Sequence, residues 1–192
     1  MRILLLLLPL ALAGCITGEP LRYVVEPALE AVNERVRTSA DTISIVEVSL
    51  PDYAKETKLF VEGERENALE AWENADWGDE PERAFALVLV RELTQITGAD
   101  VATDPWPLGG VPEAEVRVRV SQMIVRPDNT VSLAGHFSIR RDVVESRNKV
   151  ELFALQVPVA ATGADGTVSP ADAVRAYGAS WRELAEVIAK AL

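Results

Sequence analysis

The chain has 192 residues, 48% hydrophobic and 26% charged, the balance of an ordinary globular domain and not of a disordered chain. That length points to one domain, with a core large enough to stand without disulfide or metal staples. With 30 acidic against 19 basic side chains the net charge is -11, which argues against a nucleic-acid footprint, and one Cys and one His exclude a disulfide framework, a Cys-based zinc site and a multi-His metal site.

Residues 1–14, MRILLLLLPLALAG, place Arg2 before an uncharged apolar run from Ile3 to Ala13 and end in small residues. This is the charged, apolar and cleavage pattern of a secretory signal. The run falls well short of the roughly 20 residues that span a bilayer. Leu12-Ala13-Gly14-Cys15 resembles a bacterial lipobox. In such signals the Cys thiol receives diacylglycerol, the preceding peptide is removed and the new amino group is acylated. Each buried CH2 contributes about 0.8 kcal/mol, so several chains on Cys15 make a stable anchor. Ile16 stands where Asp would retain the protein in the inner membrane, so by resemblance to bacterial sorting signals the outer membrane is expected. The expected organisation is a signal peptide over 1–14, a lipidated Cys15 with a linker through residue 20, and a single domain over 21–192. Losing the first 14 of 192 residues leaves 178, and losing Arg2 leaves 18 basic against 30 acidic side chains, a net charge of -12.

Tyr23, Val24 and Val25 begin a first strand, and residues 26–40 are polar enough for a loop or a short helix. Residues 42–49, TISIVEVS, alternate as a strand does, and Leu50-Pro51-Asp52-Tyr53 then turns the chain. Residues 58–62 and 67–72 read as short strands around a turn at Gly63. A helix starts near Asp79, with Glu82 three residues on as a capping-box partner and Pro81 in the first turn. Phe85, Val88, Leu89, Leu93 and Ile96 repeat at helical spacing, and Gly98 supplies the stop. Residues 104–113, with three prolines and two glycines, are irregular. The strongest strand signal follows. Val116, Val118 and Val120, then Val131, Leu133, Phe137 and Ile139, alternate with polar residues around an Arg126-Pro127-Asp128-Asn129 turn, the pattern of an antiparallel hairpin. Residues 149–157 add a strand and 160–169 a Gly-rich loop. Ser169, Pro170 and Asp172 open a last helix with Val174, Tyr177, Trp181, Leu184 and Ile188 on one stripe. The expected fold is α+β: a mainly antiparallel sheet with two helices packed on one face, a two-layer sandwich.

Little here suggests catalysis. His136 lies on the polar register of a strand, and no G-x-S-x-G elbow accompanies it. Gly109-Gly110 lacks the Lys-Ser/Thr of a phosphate loop. The acidic stretch from Glu62 to Glu82 lacks the alternate ligand spacing and central Gly of a calcium loop and reads as a solvated face. No catalytic residue, metal ligand or cofactor is expected. Four tryptophans remain: Trp72, Trp77 and Trp106 in or near irregular segments, and Trp181 on the last helix stripe. Core packing is the default reading for all four. Trp77 and Trp106 are also candidates for a partner surface, since aromatic anchors dominate interfaces.

The landmarks Leu50-Pro51-Asp52-Tyr53, Trp77-Gly78-Asp79-Glu80-Pro81 opening a helix, Pro105-Trp106-Pro107, the valine-rich hairpin and the last helix with Ser180, Leu184 and Ile188 resemble the ABC-type transport auxiliary lipoprotein family, the PqiC-like proteins. The likeness runs from Tyr23 to Leu192. The family's Trp-x-Glu-Pro is here one residue longer, and Ala54 stands where Leu is usual. The resemblance implies a non-enzymatic docking subunit at the outer membrane. Its partners would be an MCE-domain protein forming a periplasmic lipid conduit and an inner-membrane permease or ABC transporter. It also implies a possible homo-oligomer. As aromatics expected in loops, Tyr53, Trp77 and Trp106 are the expected contact residues. The competing expectation is a lipid carrier that holds an acyl chain between sheet and helices; an envelope hydrolase is disfavoured by the missing motifs.

Overall fold

The computed structural model describes residues 19–26, 35–63, 65, 67–141, 148–163 and 166–192. Cys15, the lipobox and most of the polar stretch over 26–40 lie outside them. The described residues form eight strands and three helices in the order β1 (Leu21–Tyr23), β2 (Thr42–Ser49), α1 (Asp52–Lys55), β3 (Lys58–Glu62), β4 (Leu69–Trp77), α2 (Pro81–Thr97), β5 (Asp100–Thr103), β6 (Ala114–Val125), β7 (Thr130–Arg141), β8 (Lys149–Pro158) and α3 (Pro170–Ala191). The α+β sandwich is as expected: one open, mostly antiparallel sheet with α2 and α3 on one face.

The β6–β7–β8 meander supplies its longest strands, with both joins antiparallel and β8 at the edge. Alternation in β6 sends Val116, Val118 and Val120 inward and leaves Glu115, Arg117 and Arg119 on the opposite face. The turn closes on Asn129 in the left-handed region (φ 59), with Asp128 Oδ1 accepting from Thr130 N–H at 3.1 Å. Opposite Gly135, β6 slips register between Val120 and Gln122. A Cβ at Gly135 would stand 2.2 Å from the Arg119 carbonyl oxygen, so the bulge requires glycine.

One edge of β6 is shared by two strands. Its first half pairs in parallel with β2, from Ile43↔Ala114 to Ser49↔Arg119, and its far end meets β3 at Val61↔Val125. Strand β5 extends β2 in parallel, β4 pairs antiparallel with β3, and β1 pairs in parallel with β4. Such parallel joins need a crossover connection, and α2 supplies the one between β2 and β5.

Four local expectations need correction. The first strand ends at Tyr23, whose carbonyl accepts from Gly78 N–H at 2.7 Å; Val25 leaves the sheet but stays buried. Leu50-Pro51-Asp52-Tyr53 leads into a single helical turn, with Ala54 N–H bonding the Pro51 carbonyl at 2.8 Å. The capping box at α2 does not form. Glu80 is the N-cap without a side-chain bond, and Glu82 instead accepts from Leu50 N–H at 2.9 Å, tying α2 to the end of β2. Strand β5 was not expected at all: four residues show no period, and it exists through pairing with β2. At the other end of α2, Gly98 adopts φ 77 and bonds Thr94, as expected.

Helix α3 carries the full capping box between Ser169 and Asp172. Burial opposes ionisation of Asp172, but hydrogen bonds from the Ser169 amide and hydroxyl and from Thr162 outweigh it and hold this carboxyl well below the usual carboxylate range. A depressed folded-state pKa contributes stability above the unfolded value and loses it as pH falls below. Asp172→Asn is therefore expected to cost about 2 kcal/mol near pH 7. The difference from the wild type should shrink in urea melts taken towards about pH 3.

The core fills the space between helices and sheet. Phe85 stacks on Trp181 with ring centres 4.8 Å apart and meets the rings of Trp77 at 5.7 Å and Tyr177 at 6.4 Å. Glu92 of α2 and Arg182 of α3 form a buried ion pair at 3.0 Å across the helices.

Candidate docking surface

The contact residues named by the sequence separate in the structure. Tyr53 sits on α1, just past the end of β2. It is half-buried, and its hydroxyl accepts from Met123 N–H at 3.0 Å. Met123 lies on the β6 edge between the stretch held by β2 and the bridge to β3, so this phenol satisfies an amide that neither strand reaches. Burial pushes the Tyr53 pKa up, and the Met123 amide opposes it.

Trp77 does not present a surface. It is 6% exposed and packs on Phe85 and Tyr177. The expectation of a partner contact there is corrected by its strand register: Ala75 and Trp77 alternate inward at the end of β4 while Asp76 faces out towards Lys58. The ring is a core residue.

Trp106 is half-buried in the irregular segment 104–113, which leaves the sheet after β5. The segment is tied at both ends. Asp104 N–H bonds the Ile45 carbonyl at 3.1 Å, and Glu113 exchanges bonds with Thr42 Oγ1 at 3.0 Å and Asp41 N–H at 2.7 Å. Between these ties Leu108 and Val111 stand 51% and 70% exposed. The sequence reading passed over both; the signal was apolar side chains inside a Pro/Gly-rich segment, where no core face can claim them.

Beside the start of this segment, a groove of about 450 Å³ runs between α2 and the β2 bulge, lined by Val46, Val48, Arg83 and the exposed Leu87 among others. Because β2 and β5 are parallel, Tyr53 and Trp106 both follow strands that leave the sheet at the same end. The face away from the helices has a different character. Arg117, Arg119 and Arg140 lie there, partly matched by Glu115 and Glu47, with His136 opposite Leu152. Arg140 holds the Glu115 carboxyl below its usual range despite partial burial.

Among the described residues no helix is long and apolar enough to cross a membrane. The chain matches the family described as "ABC-type transport auxiliary lipoprotein component" over residues 23–189. It belongs to that family. No curated protein matches it. Its auxiliary lipoprotein domain is similar to a crystal structure of an uncharacterized protein, with 17% identity, TM-score 0.64 and coverage of 82% of this chain and 98% of that one. It is also similar to a Xanthomonas campestris protein of the family DUF330, with 9% identity, TM-score 0.56 and coverage of 89% and 90%. At these identities the likeness is one of fold. A PelC dodecamer from Paraburkholderia phytofirmans aligns at 11% identity over 85% and 87% of the two chains, with TM-score 0.34, too distant to argue from. The auxiliary lipoprotein family fits the α+β domain expected from the valine-rich hairpin and the two amphipathic helices.

Proposed function

We propose that this auxiliary lipoprotein is a non-enzymatic docking subunit of an envelope lipid transport system. Lipid on Cys15 holds it at the outer membrane, with the domain in the periplasm. Its partner is the distal end of an MCE-type conduit, served at the inner membrane by a permease or ABC transporter. The observation that carries the reading is the family match, which spans residues 23–189 and so takes in the sheet from the end of β1, all of α2 and nearly all of α3. The docking surface is the 104–113 segment with Trp106, Leu108 and Val111, and the α2 groove beside it. A half-buried ring and exposed aliphatic side chains on a tied segment suit an interface, because little conformational freedom is lost on binding. Tyr53 serves by shaping the same end of the sheet. The domain's charge makes electrostatic attraction to anionic lipid a poor tether, which leaves the anchor to the acyl chains.

The anchor has a direct test. Cys15→Ser is expected to move the protein from the membrane fraction to the soluble fraction of the envelope, with the fold unchanged. Retention of the variant in the outer membrane would remove the lipid tether from the reading.

A further inference from the structure

A cavity of about 410 Å³ opens where β3 ends, β6 enters its turn and the segment before α3 crosses them. Its apolar wall includes Val61, Val125 and Val168; Glu62, Arg126 and the half-buried Trp72 supply its charges and its ring. The two charged side chains are largely shielded, 13% and 35% exposed, yet among the described residues neither is well bonded. They approach each other only to 3.6 Å, beyond hydrogen-bond range. Among the described residues the Arg126 guanidinium otherwise gives one long bond, to Gln122 Oε1 at 3.4 Å, and its Nε is buried with no hydrogen-bond partner. Glu62 accepts one bond, from Asn67 N–H at 3.3 Å. A shielded ion pair offsets its desolvation only when the contact is short and the spare donors and acceptors are satisfied. Among the described residues both ends lack a full set of partners, and a cavity adjoins them.

We infer that this cavity binds a zwitterion in which an alkylammonium and a phosphate ester are joined by a short carbon link, as in a phosphoethanolamine group. The phosphate takes the spare guanidinium donors of Arg126, whose planar fork matches two oxyanion oxygens. The ammonium lies between the Glu62 carboxylate and the Trp72 indole, gaining from both charge and ring. The valines receive the carbon link. A plain anion would meet Glu62 and a plain cation would meet Arg126, so each half alone is opposed by one member of the pair. The inference stands apart from the docking reading, and neither depends on the other.

The test titrates the full-length protein in dodecyl maltoside with glycerophosphoethanolamine, glycerol 3-phosphate and ethanolamine, followed by calorimetry. Saturable binding of the first, at least about tenfold tighter than of the other two, is the expected result. Glu62→Gln and Arg126→Gln should each weaken it at least about tenfold. Circular dichroism melts report their folding, and Glu62→Gln carries the test alone if the Arg126 variant fails to fold. A second arm places phosphatidylethanolamine in the micelles. Much tighter binding there than to the soluble ester makes a lipid headgroup the source, and equal binding makes the free ester sufficient; either supports the site. No saturable binding to ester or lipid, or unchanged binding by Glu62→Gln, would overturn it.

Discussion

Phe85→Ala is expected to destabilise the domain by about 3–5 kcal/mol, the cost of an aromatic cavity in a packed core. Phe85 is fully buried and touches three rings from two elements: Trp77 of β4, and Tyr177 and Trp181 of α3. Removing it deprives all three of a neighbour, and the helices cannot close the gap without shifting against the sheet. Phe85→Leu, which keeps much of the volume, should cost no more than about 2 kcal/mol. Urea unfolding followed by near-ultraviolet circular dichroism separates the two. A loss for the alanine variant under about 1 kcal/mol would mean that this cluster does not hold α2 and α3 together.

The second large effect lies in the ion pair between those helices. Arg182→Leu leaves the fully buried Glu92 carboxylate without its guanidinium and is expected to cost about 3–5 kcal/mol. Adding Glu92→Leu should recover most of that loss, because two packed leucines carry no buried charge to compensate. The same melts on wild type, both single variants and the double variant close a thermodynamic cycle. If the double variant is as unstable as Arg182→Leu, the pair is not a charge clamp, and Arg182 matters only through packing and its weaker contact to Glu186 at 3.9 Å.

Local pattern and distant partnership divide what was readable in advance. The β6–β7 hairpin was legible because long alternating runs on each side of a Pro-Asp-Asn turn admit few other structures. Helix α3 was legible because its capping box and stripe are both local. Strand β5 was not, since four residues carry no period and their pairing comes from β2, far away in the chain. The α2 start was misread because Glu82 found Leu50 N–H, 32 residues back, a better use of its carboxylate than a cap on its own helix. The Glu92–Arg182 pair joins residues 90 apart, so no window of sequence contains it.

The candidate surface follows the same division. Residue type alone made Trp77 and Trp106 equals. Their backbones separate them: Trp77 ends a strand on its inward register, and Trp106 lies in a segment that prolines keep out of any ladder. The Ala75-Asp76-Trp77 alternation was the available sign that Trp77 turns inward. Cys15, proposed above as the lipid anchor, is an expectation that rests on sequence alone, because lipidation demands a fixed local motif.

The docking reading is tested most directly by crosslinking in the native envelope. A photo-crosslinking residue in place of Leu108, which is exposed beside Trp106, is irradiated in intact cells, and the captured proteins are identified by mass spectrometry. The expected result is an adduct with an MCE-domain protein that disappears when the same residue replaces the buried Leu89 of α2. Efficient crosslinking from Leu108 to other envelope proteins, with no MCE-domain protein among them, would contradict it.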